Sequence, residues 1–538
     1  MASIVLGVLA VGVLLIMRAC GGDDCGKNDV YCVSNQEIAP PEGYERVSDV
    51  YQYNTRKGTI AAGTDIIVQA ELKKPTADGR NLSFYRYLPD TKTWEHVAPA
   101  ILDAQGKTAS TTLHDTPAVM AVLRRLSAAG NVVAYLAHDQ QLHKDAIGRI
   151  TILHTLDFTP ASDGTVQGDP SNIKADPSFA FYPVIAANTN IKGSVQIVNS
   201  LLGSAQSRSA HVQNIVKKVN AGQLAGIDIA YLDLAASDRT SFTLFIGELY
   251  QVLHSQNKTL TLTLPPPIKT QDRIDEGAYD WAELAKSADV LQITPYRDQG
   301  TYRIAMPDIL TYLTGIVQPN KLVLTVSPYA TEKATDGIRT LSIADAMTIA
   351  TRLKISNLTP DAKLTTNTNV EVAGANIDKK ENLTGVFWQP ESACVTFTYK
   401  GGGGTGGRTV WIENYFSIGF KLEFINRYKL GGVGVEDASN NELLGNIWTA
   451  LVPFITSGQP VLMQPNAKDL QPLWRVTAGT FEDTGKGSIK WATPAEPGNH
   501  FVYLTLSDGV SLFESEISVS IAAKPTTPSP TGSPTPVG

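Results

Sequence analysis

Between residues 130 and 457, short apolar runs alternate with longer stretches whose apolar residues recur every three or four positions. That alternation predicts parallel strands joined by amphipathic helices. Eight runs read as strands: 131–138, 150–158, 179–187, 226–232, 259–264, 290–294, 321–327 and 432–436. A helix over 238–254 places Phe242, Phe245, Ile246, Leu249, Val252 and Leu253 on one face, and one over 416–428 does the same with Phe420, Phe424 and Ile425. Eight such units over roughly 330 residues predict an α/β TIM barrel, (β/α)8, at 130–457 with an insertion at about 332–412.

On both sides the period changes. Residues 44–126 hold short alternating segments such as Asp65-Ile66-Ile67-Val68-Gln69-Ala70 and Ser83-Phe84-Tyr85-Arg86-Tyr87, separated by turn formers, which predicts a β-sandwich module. Residues 458–523 return to strand spacing, with Trp474 and Trp491 read as core residues, and resemble an immunoglobulin-like or PKD-like sandwich. The Pro, Thr and Ser of 524–538 predict an extended tail. The fold expected is a barrel flanked by all-β sandwich modules.

Charge and cysteine content narrow the functional classes. The net charge of −7, with Lys and Arg dispersed, leaves no footprint for nucleic acid. The eight histidines are scattered and no Cys-x-x-Cys occurs, so neither a metal site nor a cofactor is expected. The apolar run Ile4–Met17 is short for a membrane span and suits a signal segment at 1–20, followed by a tether at 21–43. Ala19-Cys20 resembles the end of a bacterial lipoprotein signal, which makes Cys20 a lipidation candidate; an uncleaved anchor is the alternative. Either route predicts an extracellular or cell-surface protein, touching the membrane only through its N-terminus. Cys25 and Cys32 are spaced for a local disulfide, and Cys394 reads as a small buried residue.

The stretch Ala225-Gly226-Ile227-Asp228-Ile229-Ala230-Tyr231-Leu232-Asp233 carries the strongest family signal. It resembles the catalytic strand of glycoside hydrolase family 18, the chitinase family, whose pattern is Asp-Gly-x-Asp-x-Asp-x-Glu. Thr259–Leu264, Val290-Leu291-Gln292-Ile293-Thr294-Pro295-Tyr296, Asn320–Leu324 and Gly432–Val435 resemble its fifth to eighth strands, in order. The segment ending Val410-Trp411-Ile412-Glu413-Asn414 is similar to an insertion in the bacterial, LysM-associated and spore-cortex-lysing branch.

On that pattern the second Asp falls on Asp228, the third on Ala230, and the general-acid Glu on Leu232. Alternation points Asp228, Ala230 and Leu232 into the barrel. The family's scheme uses the sugar's own acetamido oxygen as nucleophile, so it needs the acid and the carboxylate that steers the amide. Leucine donates no proton, and the resemblance therefore implies a chitinase-like barrel with a degenerate catalytic motif. Asp233, one residue late, and Glu436, where the family has a Trp flooring the sugar site, are the fallback acids. Asp228, Tyr296, Asp298 and Asp437 are the binding candidates, and Asp233, Asp298, Glu436 and Asp437 could gather into a carboxylate cluster. The expected function is binding of an N-acetylated glycan, chitin or peptidoglycan, or scaffolding, without hydrolysis. An active glycosidase with a relocated acid and a protein-interaction scaffold without sugar binding remain open alternatives.

Overall fold

The computed structural model describes residues 29–525, apart from 42–43, 56–57, 59, 61–65, 77–81, 114, 126–129, 174–178, 272, 357–362, 375–385, 401–406 and 486. The N-terminal segment with Cys20 and Cys25, and most of the C-terminal tail, lie outside the described residues. Cys32 is disulfide-bonded, and Cys394 is a buried free thiol. Among the described residues no helix is long and apolar enough to cross a membrane.

Eight parallel strands close into a barrel: β1 (Asn131–Ala137), β2 (Ile152–Pro160), β3 (Val184–Ala187), β4 (Gly226–Tyr231), β5 (Thr259–Leu264), β6 (Val290–Ile293), β7 (Leu322–Val326) and β8 (Gly432–Val435). Each pairs with the next, and β8 pairs with β1. Closure depends on two glycines in β8. A Cβ on Gly432 would sit 2.0 Å from the Asn131 carbonyl oxygen, and one on Gly434 2.5 Å from Thr325 Oγ1. Any larger residue would push β8 away from its neighbours. The expected strand 179–187 is split into Ala180–Phe181 and β3, because Pro183 between them has no N–H for the ladder.

Strand alternation sorts the barrel into two apolar layers. Val132, Ala134, Leu136, Ile227, Ile229, Tyr231, Leu260, Leu262, Leu291 and Ile293 join the layer under the helices, to which Phe242, Phe245, Ile246, Leu249 and Leu253 of helix Arg239–Ser255 contribute the other side. Val133, Tyr135, Ile152, Val184, Ala186, Ala230 and Val323 form the separate interior cluster.

Two β-sandwiches flank the barrel. In the N-terminal one, a six-stranded and a three-stranded sheet share a core that includes Val68, Leu82, Phe84, Met120 and Val122. In the C-terminal one, Trp491 is fully buried among Val372, Ile489, Val502, Val519 and Ile521. Its two sheets are not built from 458–523 alone. Leu353–Ser356 and Asn369–Gly374 pair into the sheet of Ser488–Ala492, and Leu364–Thr365 pairs with Leu512–Ala522. Short strands are marginal by themselves, and these reach hydrogen-bonded partners only across the chain. Between β7 and helix Tyr415–Arg427 stands a separate antiparallel sheet running from Ala330 to Ile412.

Candidate active site

Asp228 is fully buried in the interior of β4. Thr261 Oγ1 donates to its Oδ1 at 2.6 Å and Thr263 Oγ1 to its Oδ2 at 2.7 Å, both from β5. Gln292 Nε2 of β6 donates to Oδ1 at 3.2 Å and to His154 Nε2 at 2.8 Å. His154 uses Nδ1 to donate to the Tyr182 carbonyl at 2.6 Å, so Nε2 is its acceptor face. The Tyr135 hydroxyl closes the group on Gln292 Oε1. Burial pushes the His154 pKa down against the pull of Asp228, and raises that of Tyr135, so both rings are neutral around the one carboxylate. A buried charge is tolerated only when its lone pairs are met. Here they are, by partners from two other strands.

One step up the same face the chemistry stops. Ala230 is 5% exposed within the interior cluster. Leu232 lies just beyond the end of β4, half-buried, with its N–H donating to the Ala187 carbonyl at 2.7 Å. The ladder therefore continues through this residue and holds its side chain on the face of Asp228 and Ala230. With Ala137 and Leu156, which is 49% exposed, these residues give the β1–β4 side of the mouth a hydrocarbon lining.

Asp233 is turned away from that face. Its backbone is left-handed, with φ of 59°, and its Oδ2 accepts from Thr189 N at 2.9 Å and Thr189 Oγ1 at 2.8 Å. The side chain ties the loop after β4 to the loop after β3.

The opposite side of the mouth is charged. Arg297, directly after Tyr296, makes a two-pronged ion pair with Glu436 at the end of β8; Nη1 donates to Oε2 at 3.0 Å and Nη2 meets Oε1. Ser327 Oγ, beyond β7, donates to the same Oε2 at 2.6 Å. Burial lowers the Arg297 pKa, but Glu436 outweighs it and the net shift is upward. The fallback acid Glu436 is thus paired with a fixed cation. Asp437 accepts from the Tyr329 hydroxyl at 2.6 Å and from Ser439 N at 2.9 Å. Asp298 Oδ2 accepts from Lys333 Nζ at 2.7 Å. Tyr296 is half-buried, its hydroxyl 3.1 Å from Thr301 Oγ1 and its ring edge-on to Tyr302.

The expected carboxylate cluster is therefore replaced by separate pairings, each acid bound to its own donor. Among the described residues no group of three or more His, Cys, Asp or Glu is arranged to hold a metal ion. Arg297, Ser327, Gln292, His154 and Tyr135 were not anticipated. A signal for the deep group does exist: Thr261 and Thr263 alternate with leucines in β5, which places two hydroxyls inside the barrel. Arg297 carried no such mark, because its partner is 139 residues away.

Comparison with known proteins gives one family. Residues 180–440 match the model described as Glycosyl hydrolases family 18. Similar solved structures include a chitinase from Chromobacterium violaceum, 19% identical with a TM-score of 0.44 over 60% of this chain and 98% of that one. The spore cortex-lytic enzyme SleL of Bacillus megaterium is 15% identical, with a TM-score of 0.45 over 65% and 79%. SleL of Bacillus cereus is 16% identical, with a TM-score of 0.45 over 68% and 80%. A search of the curated proteins finds no match.

Proposed function

From the premise that residues 180–440 are a glycosyl hydrolase family 18 domain, we propose that the barrel binds an N-acetylated glycan of chitin or peptidoglycan type without cleaving it. The observation that carries this reading is Leu232, whose N–H, donating to the Ala187 carbonyl, keeps it on the face of Asp228 and Ala230, and which the sequence resemblance aligns with the family's acid Glu. A positioned acid contributes about 10²–10⁴-fold to such a reaction, and the steering carboxylate is absent too at Ala230. The other acids at the mouth are occupied by Thr189, Arg297, Tyr329 and Lys333.

Binding draws on what the mouth still offers. Ala137, Leu156 and Leu232 present hydrocarbon to the apolar face of a pyranose, and Tyr296 stands across from them with a hydroxyl. Export to the cell surface, with Cys20 as lipid anchor, belongs to the same proposal; the bonded state of Cys32 supports it, since disulfides persist in oxidising compartments.

Cosedimentation of the purified chain with insoluble chitin and with peptidoglycan sacculi tests the reading. Capture is expected, and Leu156→Arg, which puts a charge on the hydrocarbon side, should weaken it about tenfold or more. Capture of neither polymer would leave the barrel as a protein-interaction scaffold.

A further inference from the structure

Beside the barrel mouth, on the β7–β8–β1 side, lies a cavity of about 390 Å³. It sits between the loop following β8 and the turn at Asp508 in the C-terminal sandwich, and neither Leu232 nor Tyr296 lines it. Its walls are pinned on several sides. Ser439 bridges to Leu142, and Asn440 N–H donates to the Gln141 carbonyl at 3.0 Å. Gly445 N–H donates to the Pro328 carbonyl at 2.9 Å, and a Cβ on Gly445 would lie 2.4 Å from the Glu413 carbonyl oxygen. Across the gap, Asn414 Nδ2 donates to the Asp508 carbonyl at 2.9 Å. The space is therefore formed before any ligand arrives.

The lining has a definite chemistry. Ser439 is 8% exposed, lines the cavity, and its Oγ has no hydrogen-bond partner. Buried hydroxyls are rarely left so, because the lost hydration must be replaced. Asn441 and Asn446 add amides at the rim, which donate and accept equally. The lining holds the carboxyl groups of Asp437, Glu442 and Asp508, and no Lys or Arg. Its one basic residue is His143, whose pKa is pushed down by burial. An anionic ligand would meet only like charge there. One wall is flat and apolar: the His143 ring stacks on Trp448, centroids 5.9 Å apart and planes 7° from parallel, with Phe513 lining the sandwich side.

We propose that this cavity is a second, separate binding site for a neutral, polyhydroxylated ligand, a saccharide of roughly one or two rings by its volume. Sugar hydroxyls satisfy Ser439 and the asparagines, and the carbon-bound faces of the ring lie against the apolar wall. The site borders the charged side of the mouth at Asp437 but shares none of the β1–β4 hydrocarbon residues. It gives the chain a hold on a polysaccharide that the loss of the family's Trp at Glu436 does not touch.

Titration calorimetry on the full chain tests this with three probes: di-N-acetylchitobiose, the de-N-acetylated glucosamine disaccharide, and an anionic disaccharide containing muramic acid. The neutral probe is expected to bind, with the anionic one about tenfold weaker or worse. Asn441→Trp, at an exposed rim position, fills the cavity and should weaken the neutral probe about tenfold; Ser439→Val removes one hydrogen bond and should cost about fivefold. All titrations are run in the Leu156→Arg background as well, where the mouth's share of binding is lost and the component removed by Asn441→Trp is expected to remain. Should Asn441→Trp fail to fold by its thermal unfolding profile, Asn446→Trp fills the same space from a second exposed position. The proposal is overturned by affinity unchanged in the filled variant, by loss confined to Leu156→Arg, by absence of neutral-sugar binding, or by preference for the cationic disaccharide alone.

Discussion

The floor of the barrel at Asp228 and its rim at Leu232, just past the end of β4, sit four residues apart on one face and follow opposite rules. At Asp228 the carboxylate is surrounded by donors from β5 and β6, of which Thr263 is also bonded to Tyr135 of β1, and Gln292 to Tyr135 and to His154 of β2. At Leu232 the same face is hydrocarbon, and the nearest acids turn elsewhere. The difference is one of solvent. A charge deep in the barrel must be matched by its own scaffold, because folding would otherwise leave it stranded. The rim is open to water, so its residues answer only to what binds there. A deep polar layer can therefore persist as architecture while the rim above it is free to change.

The largest effect should come from breaking the floor. Asp228→Leu strands the Thr261, Thr263 and Gln292 donors, and chemical denaturation should show a loss of about 3 kcal/mol or more. The same change is expected to leave the cavity beside β8 able to bind its sugar in whatever fraction stays folded.

Next comes the ion pair at the rim. Arg297→Met leaves Glu436 without its cation and should cost about 1–2 kcal/mol, less than at the floor because both side chains reach solvent. Adding Glu436→Leu should recover most of that loss, and a double-mutant cycle measures it. Rebuilding activity sharpens the contrast further. Ala230→Asp with Leu232→Glu should still give no turnover of chitin oligosaccharides, because the Arg297–Glu436 ion pair at the rim stands where the resemblance to the family puts a Trp under the sugar. Adding Arg297→Asp and Glu436→Trp should yield slow but measurable release.

The smallest effect is on pH dependence, and the two depths again oppose each other. His154 is buried in the floor with a pKa below the ordinary 6.5, so its folded form resists protonation and stability falls as pH drops below that value. His138, at the rim end of β1, is raised above 6.5, first by its bond to Asp157. Its contribution is complete below 6.5 and disappears as pH rises through its folded value. His138→Gln should remove the alkaline-side decline in unfolding midpoint and leave the acid-side decline intact.

The barrel was legible because its strands announce themselves one by one: 259–264 was expected and found with the same bounds, and helix 238–254 is displaced by one residue. The inward placement of Asp228 and Ala230 also followed from period-two alternation alone. What could not be read were pairings between distant segments. Glu436 and Asp298 were visible as acids, but only closure of the barrel brings Arg297 to the first, and only the sheet after β7 brings Lys333 to the second. In the same way, Leu353–Ser356 and Asn369–Gly374 look like pieces of an insertion until Ser488–Ala492 supplies their partner. Asp233 was ambiguous for a local reason: its left-handed backbone, which no periodicity marks, decides where the carboxylate goes.

The most direct test of the central claim is mass-spectrometric detection of new reducing ends after prolonged incubation of the purified chain with chitotetraose and with peptidoglycan fragments. No release above a protein-free control is expected, in the parent and equally in Asp233→Asn and Glu436→Gln. Release by the parent that vanishes in either variant would show that a relocated carboxyl group delivers the proton, and would contradict the account.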